Sequence, residues 1–228
     1  MNSDEKRWNE INKRLSGESI KHSYYAQLSE PKFSRGSKIC ELGGGLGYDA
    51  LFFLENGHNV VLLDISKFAL SQAKSLVKSR GLDQKLLTIT ADFGVGMLPL
   101  KENSFDIVYS RIGLNYFPTD ETRKLFSEIY RVLHREGRAY LALKSPDDIE
   151  EMKFLTTNCV ELEENVFIEG EQIRSRFDKS QITKMLEDIG ISDYDVNSIV
   201  ERKENLRDEA DIFTTKPLFL NEVTFGKI

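Results

Sequence analysis

The segment from Lys38 to Gly47 constrains the fold of this chain more than any other part of its sequence. A short apolar run with Glu41 near its end predicts a strand, and the turn that follows reads Gly-Gly-Gly-Leu-Gly. Glycine tolerates positive φ angles in such a turn, and its missing side chain lets a ligand approach the backbone closely. The helix predicted after the turn, to about Asn56, directs its N-terminal amides and the positive end of its dipole towards the same place. The segment predicts a site for a nucleotide-like ligand, although a glycine-rich turn alone is a weak signal.

Strand and helix patterns alternate from residue 38 to about residue 144. Apolar or β-branched runs that predict strands lie at residues 39–42, 58–63, 86–90, 105–109 and 138–143. The segments between them carry apolar residues at helical spacing, and the last of these helices is predicted to start at a capping Thr119 and to end by Gly137. Alternation of this kind predicts a parallel sheet with helices on both faces.

The C-terminal part follows a different pattern. A helix is predicted over 179–189, and two strands follow at 191–200 and 218–225 with no long helix between them. Two such strands suit an antiparallel edge on a parallel sheet. The sequence therefore predicts an α/β fold of the Rossmann-like, doubly wound kind. We expect a mostly parallel seven-stranded sheet with an antiparallel C-terminal edge strand and helices on both faces.

The 228 residues are predicted to form a single domain with four parts. Residues 1–35 are predicted to be an N-terminal helical cap, and residues 36–144 to be the core that binds the ligand. Residues 145–178 are predicted to form a lid or an insert. Residues 179–228 are predicted to supply the C-terminal helix and strands.

Composition excludes several classes of partner. A formal net charge of −6 leaves no broad basic surface for nucleic acid. No apolar run approaches the roughly 18 residues needed to span a bilayer, and the polar N-terminus lacks the apolar core of a signal peptide. The two cysteines, Cys40 and Cys159, indicate neither a disulfide framework nor a metal site. We therefore expect a cytoplasmic location and no nucleic-acid, membrane or metal partner, while the sequence leaves monomer and dimer open.

Polar or aromatic residues end successive predicted strands. After Glu41 and its turn, Asp64 closes the second strand, Asp92 and Phe93 follow the third, and Ser110 follows the fourth. The carboxyl ends of parallel strands meet at one edge of the sheet, where ligands bind near the point at which strand order reverses. A carboxylate after the second strand accepts from ribose hydroxyls, while a second acid can accept from an adenine amino group and an aromatic ring can pack on adenine. These positions together predict an adenosine pocket.

These motifs resemble those of the class I S-adenosylmethionine-dependent methyltransferases, particularly members of the small-molecule type. The resemblance covers residues 36–144 well and the C-terminal part loosely. It rests on the turn 41–47, Leu63-Asp64-Ile65-Ser66, Ala91-Asp92, Leu98-Pro99-Leu100, Ser104-Phe105-Asp106-Ile107-Val108, and Glu128-Ile-Tyr-Arg131-Val132-Leu133. One departure is His134-Arg135-Glu136-Gly137, in a predicted surface turn where many members have Lys-Pro-Gly-Gly.

The resemblance implies S-adenosyl-L-methionine as the cofactor and S-adenosyl-L-homocysteine as the product. The cofactor-binding residues that it implies are Glu41, Gly43, Gly44, Gly45, Gly47, Asp64, Ile65, Asp92, Phe93 and Ser110. Among these, Glu41 and the glycines would hold the methionine part and Asp64 the ribose. Adenine would lie against Ile65, Asp92 and Phe93, and Ser110 would lie beside the methionine end.

Methyl transfer is an in-line displacement with a neutral leaving group, so the protein mainly positions the reactants and excludes water. A general base is required only where the attacking atom begins protonated, and the sequence nominates no catalytic residue. Candidates for the substrate side are His22, Arg111, Asn115 and Tyr116. Residues 110–117 lack the Asn/Asp-Pro-Pro-aromatic signature of enzymes that methylate nucleobase amines, which argues against such a substrate.

Other functions compete with this interpretation. An NAD-dependent oxidoreductase would need Gly-x-Gly-x-x-Gly, but the third position holds Tyr48. A polyamine synthase would need an acid just after the fourth strand, where Ser110 and Arg111 stand. A protein methyltransferase and a non-catalytic subunit that binds S-adenosylmethionine are both compatible with the sequence. The sequence favours a methyltransferase that acts on a small-molecule nucleophile.

Overall fold

The computed structural model describes residues 3–16, 21–94, 96–201 and 217–227. The strands are β1 (Lys38–Leu42), β2 (Asn59–Asp64), β3 (Leu86–Thr90), β4 (Phe105–Arg111), β5 (Leu133–Lys144), β6 (Val160–Glu163), β7 (Val166–Glu169), β8 (Gln172–Ser175), β9 (Tyr194–Glu201) and β10 (Leu218–Gly226). The α-helices are α1 (Ser3–Leu15), α2 (Tyr24–Ser29), α3 (Tyr48–Glu55), α4 (Lys67–Ser79), α5 (Thr119–Val132), α6 (Ile149–Asn158) and α7 (Lys179–Asp188). Short 3₁₀ turns lie at Glu30–Lys32 and Asp83–Lys85.

Seven strands form one sheet in the order β3-β2-β1-β4-β5-β10-β9. The pairs among β3, β2, β1, β4 and β5 are parallel, while β10 pairs antiparallel with both β5 and β9. The predicted Rossmann-like, mostly parallel sheet with an antiparallel C-terminal strand is thereby confirmed. The antiparallel strand β10 lies one place inside the edge, and β9 forms the edge itself.

Helices bury both faces of this sheet. On one face, strand residues pack against the apolar sides of α5 and α7. The helix residues in this cluster include Phe126, Ile129 and Met185. On the other face, strand residues pack against α2, α3 and α4. The helix residues in this second cluster include Tyr25 and Phe53. Burial on both faces explains why the parallel strands read as nearly continuous apolar runs in the sequence.

The segment predicted as a lid or insert contains α6 and a second, three-stranded antiparallel sheet in the order β6-β7-β8. A charge cluster around the buried Arg176 links this small sheet to the end of β5. Glu151 on α6 lies 2.8 Å from the Arg176 guanidinium, which is only 2% exposed, and 2.7 Å from the Lys144 ammonium. These ion pairs fix the small sheet against the main sheet.

The boundary between α5 and β5 differs from its prediction. The helix α5 ends at Val132, within its predicted limit of Gly137, but β5 begins at once with Leu133 and not at the predicted residue 138. The β4–β5 register shifts over this stretch, and Glu136 takes a φ of 68° in the resulting bulge. Pairing with β4 and with the Lys227 backbone satisfies the backbone of the bulge, so tertiary contacts override the helical pattern. Within the four described ranges, no helix has the length and apolar character required to cross a membrane.

Candidate functional site

A cavity of about 470 Å³ lies at the carboxyl ends of β1 to β4. It lies where the strand order reverses, since β1 is flanked by β2 on one side and by β4 on the other. The strand ends contribute Glu41, Gly43, Gly44, Gly45, Asp64, Ile65, Ala91, Asp92, Phe93, Arg111, Ile112 and Gly113. Its remaining walls come mainly from α1, from residues 21–23 and from residues 171–174 at the start of β8.

The glycine turn packs directly on the carboxylate of Glu41. A Cβ atom at Gly44 would lie 2.4 Å from Glu41 Oε1 and 2.4 Å from Leu62 Cδ1, so a larger residue there would push these side chains out of position. Glu41 is 2% exposed, and among the described residues its Oε2 atom has no hydrogen-bond partner. Burial raises the pKa of Glu41 well above its usual range, and the charges of Asp49 and Asp64 raise it further. Glu41 therefore lines the cavity with an unsatisfied polar group.

Asp64 ends β2 and holds the turn from the other side. Its Oδ2 atom accepts a hydrogen bond from the Gly45 N–H at 2.9 Å, and its Oδ1 atom accepts from the Ser66 N–H at 2.7 Å. Burial raises the pKa of Asp64, and these backbone hydrogen bonds oppose the rise. A carboxylate has about four lone-pair sites. The backbone N–H groups of Gly45, Ser66 and Ile65 use part of this capacity, and the rest is available to a ligand in the cavity.

Gly47 does not line the cavity but lets α3 pack closely on α4. Its φ is 79°, and a Cβ atom there would lie 2.6 Å from Ala73 Cβ. We expect Gly47→Ala to lower the free energy of unfolding by about 2–4 kcal/mol, because left-handed backbone strain and overpacking add together. Gly57→Ala is the matched control, since Gly57 has a φ of 94° but a Cβ atom there would have no neighbouring atom within 4 Å. Urea unfolding of both variants measures the difference, and equal losses would contradict this packing argument.

A partly buried hydrogen-bond network, which sequence patterns did not predict, fixes Ser23 beside His22 in the wall of the cavity. Asp49 Oδ1 accepts from the Ser23 N–H at 2.6 Å, and Asp49 Oδ2 accepts from Ser23 Oγ and from the Tyr109 hydroxyl, each at 2.8 Å. Burial raises the pKa of Tyr109 well above its usual range, so the phenol stays a donor. Ser23 also caps α2 through Ala26 N. The network joins this wall of the cavity to α3 and β4.

The helix α1 covers the cavity and docks on the first turn of α4. Asn9 Oδ1 accepts from Ser66 Oγ at 2.8 Å and from the Phe68 N–H at 3.1 Å. The Trp8 ring meets the Tyr116 ring edge-on, with their centres 4.9 Å apart. On the far side, Arg7 lies 3.8 Å from Glu171, at the turn between β7 and β8. The sequence predicted a helical cap over residues 1–35, but no sequence pattern placed Trp8, Ile11 and Leu15 of this cap in the site, where all three line the cavity.

The cavity brings together most of the predicted site residues. Those that line it are Glu41, Gly43, Gly44, Gly45, Asp64, Ile65, Asp92, Phe93, His22, Arg111 and Tyr116. Three predicted residues, Gly47, Ser110 and Asn115, do not line it. Ser110 Oγ donates to the Leu42 carbonyl at 2.8 Å. Asn115 is 1% exposed, donates to the Ile112 carbonyl and accepts from the Lys144 N–H. Contrary to expectation, both polar side chains are therefore used inside the protein and not at the cavity.

The arginines that line the cavity have acidic partners. The pairs are Arg7 with Asp4, Arg111 with Glu201, and Arg174 with Glu169. Arg174 also lies over the ring of Tyr116, 5.7 Å from its centre. Burial raises the pKa of the Tyr116 phenol, so the ring is neutral. The walls beyond the strand ends thus present aromatic rings and arginines whose positive charges are balanced by acidic partners.

Comparisons with known proteins agree with this geometry. Residues 39–137 match the methyltransferase domain family. The sterol 24-C-methyltransferase of Pneumocystis carinii is 33% identical over 118 residues, which are 51% of this chain and 30% of that protein. The phosphoethanolamine N-methyltransferase of Plasmodium falciparum is 27% identical over 111 residues, 48% of this chain and 40% of that protein. The chain spans less than half the length of the curated relatives it matches.

A solved structure resembles nearly the whole chain. The S-adenosylmethionine-dependent methyltransferase from Methanosarcina mazei superposes with a TM-score of 0.73, covering 92% of this chain and 99% of that one. Sequence identity between the two is 19%, so this likeness shows the fold. The family match covers β1 to the bulge in β5, which are the elements that form the floor of the cavity.

Proposed function

We propose that this chain, a member of the class I S-adenosylmethionine-dependent methyltransferases with S-adenosylmethionine as its cofactor, transfers a methyl group to a small-molecule acceptor. The observation that carries the proposal is the arrangement of Glu41 and Asp64 on the floor of a cavity that α1 covers. The floor suits the cofactor, and the cover limits the size of the acceptor.

The residues present fit this cofactor. The remaining acceptor capacity of Asp64 suits ribose hydroxyls. The Oε2 atom of Glu41, which has no hydrogen-bond partner among the described residues, suits an N–H donor of the methionine part. Ile65 and Phe93 supply apolar surface for adenine, and Asp92 supplies an acceptor at its edge. When bound, the cofactor supplies a methyl group on a positively charged sulfur, which is a good leaving group.

The charge of the floor favours a cationic ligand. Glu41 is buried close enough to Asp49 and Asp64 for both charges to raise its pKa. A positive ligand relieves this repulsion between carboxylates, whereas an anionic dinucleotide adds to it. This argument supports S-adenosylmethionine over NAD, in agreement with Tyr48 in place of the third glycine of the dinucleotide pattern.

The walls of the cavity support a small-molecule acceptor. The volume of about 470 Å³ falls in the range of sites for small ligands, and the cofactor takes part of it. The contacts of Trp8 with Tyr116 and of Arg7 with Glu171 cover the space beside the strand ends. A polypeptide segment would have to displace α1 or the β7–β8 turn before it reached the floor.

The contribution of the protein to the reaction is positioning and exclusion of water. The Ser23–Asp49–Tyr109 network fixes one wall, and the Asn9–Ser66 contact fixes the cover. Both sets of contacts hold side chains of the cavity in position before the reactants bind. This lowers the entropy cost of aligning the reactants.

A labelling experiment tests the proposed function. The protein is incubated with methyl-tritiated S-adenosylmethionine and either a small-metabolite extract or a protein extract, and the label in each fraction is counted. We expect label in the metabolite fraction, and its loss with the Asp64→Ala variant. Label confined to protein would favour a protein methyltransferase. Cofactor binding without transfer to either fraction would favour a non-catalytic binding subunit.

A further inference from the structure

His22 differs from the other two histidines because it lines the cavity. His58 is 1% exposed and pairs with Glu30, while His134 contacts Asp106 at the opposite, amino end of β4 and β5. The His22 ring stacks on Phe52 of α3, with ring centres 4.0 Å apart and planes 18° apart. The stack holds the flat face of the imidazole, so the edge that carries both nitrogens is left for other contacts.

The backbone that carries His22 is held firmly. Ser23, the next residue, bonds to the Asp49 carboxylate through both its N–H and its hydroxyl. The ring itself has no hydrogen bond or ion pair with any described residue, so its nitrogens are available to a molecule in the cavity. An imidazole that lines a cavity and is not engaged by other described residues can take a proton from a molecule bound there.

The surroundings of His22 keep it neutral. Burial lowers the pKa of the imidazole below its usual value of 6.5. The charges of Asp49 and Glu55 on α3 oppose this lowering, and the charge of Lys21 adds to it. Since the net shift is downward, the ring is unprotonated near neutral pH and has a lone pair that accepts a proton.

We propose that His22 is the general base of this enzyme and that its acceptor is an aromatic hydroxyl compound. This rests on the proposed function. As the acceptor oxygen forms its bond to the methyl carbon, the hydroxyl proton passes to an imidazole nitrogen of His22. The bond between that carbon and sulfur breaks with its electron pair going to sulfur, which becomes neutral. The products are a methyl ether, S-adenosylhomocysteine and a protonated imidazole that returns its proton to water.

The acceptor class follows from two observations together, namely what a neutral imidazole can add and the aromatic lining of the cavity. A thioether or tertiary amine carries no proton on its attacking atom and gains nothing from a base. A phenolic hydroxyl, with a pKa near 10, stays protonated at neutral pH and gains from one. The aromatic side chains of Trp8, Tyr116 and Phe117 line the same cavity and suit a flat ring.

The test compares acceptors and variants at several pH values. The probes are catechol, caffeic acid and 2-naphthol, with N,N-dimethylaniline and thioanisole as acceptors that carry no proton on the attacking atom. With the phenols, we expect kcat/KM of the wild type to rise with pH through a pKa below 6.5 and then level off. His22→Asn should lose at least about 100-fold in kcat and lose this inflection, since general bases contribute about 10²–10⁴-fold. Imidazole added to His22→Ala should restore part of the rate.

Controls separate this proposal from a structural role. His134→Asn makes the same change outside the cavity and should keep the wild-type rate and pH profile. Binding of S-adenosylhomocysteine to His22→Asn should stay within about threefold of wild type, which shows an intact fold. An unchanged rate or pH profile in His22→Asn overturns the proposal. A labelled metabolite product that is methylated on nitrogen, sulfur or carbon also overturns it and leaves the methyltransferase function standing. Absence of S-adenosylhomocysteine binding to the wild type would instead overturn the proposed function.

Discussion

Replacing Asp64 by alanine is expected to weaken S-adenosylhomocysteine binding by at least about 100-fold. Hydrogen bonds to charged groups contribute about 1.5–3 kcal/mol each, so two bonds from ribose hydroxyls amount to about 3 kcal/mol or more. Each 1.4 kcal/mol corresponds to about tenfold in affinity. The change also removes the carboxylate that accepts from the Gly45 and Ser66 amides, so the turn loses its fixed shape.

Isothermal titration calorimetry measures this effect directly. Asp83→Ala is the matched control, because Asp83 is exposed and lies in the 3₁₀ turn before β3, outside the cavity. Circular dichroism of Asp64→Ala checks that the fold is retained. An affinity within about threefold of the wild-type value in Asp64→Ala would rule out a role for this carboxylate in binding the ribose.

Replacing Glu151 by glutamine is expected to lower the free energy of unfolding by about 3–5 kcal/mol. Glu151 is the acidic member of the cluster that joins the small sheet to the end of β5, and Arg176 is 2% exposed. Without the carboxylate, the guanidinium stays buried beside Lys144, and no other acidic side chain among the described residues pairs with it. The loss is large because the desolvation of a buried cation is no longer compensated.

The same cluster predicts a pH dependence. Burial raises the pKa of Glu151, but the hydrogen bonds and charges of Arg176 and Lys144 outweigh burial and lower the pKa from 4.5 to about 2. A lowered pKa in the folded state stabilises the protein above pH 4.5, and this contribution is lost as the pH falls from about 4.5 to about 2. Urea unfolding at pH 7 and pH 3 measures it. Glu164→Gln, at an exposed position, is the control, and equal stability of both variants at pH 7 would refute the role of the cluster.

Sequence patterns predicted the residues on the floor of the cavity because each of them is marked by a pattern within a short stretch of sequence. Glu41, Asp64 and Asp92 each follow a short apolar run, and the geometry of a parallel sheet brings such strand ends together. The glycine turn adds a second local signal, since Gly44 is required by the position of Glu41. The mostly parallel arrangement of the strands followed from the alternation of strand and helix patterns.

The walls of the cavity could not be predicted in the same way. They depend on contacts between distant segments, such as Asn9 with Ser66 and Arg7 with Glu171, which leave no periodic pattern. Ser110 was predicted to face the ligand because it is polar and lies at the end of a strand. In the structure its hydroxyl instead donates to the Leu42 carbonyl and so joins β4 to β1. The start of β5 was predicted too late, at residue 138, because pairing of Leu133 with β4 outweighs helical periodicity there.

Titration of the wild-type protein with S-adenosylhomocysteine, and separately with NADH, tests the central claim most directly. The cavity floor predicts saturable binding of one S-adenosylhomocysteine molecule per chain, a raised melting temperature in its presence and no comparable effect of NADH. Absence of binding, or equal stabilisation by NADH, would contradict the assignment of Glu41 and Asp64 to an S-adenosylmethionine site.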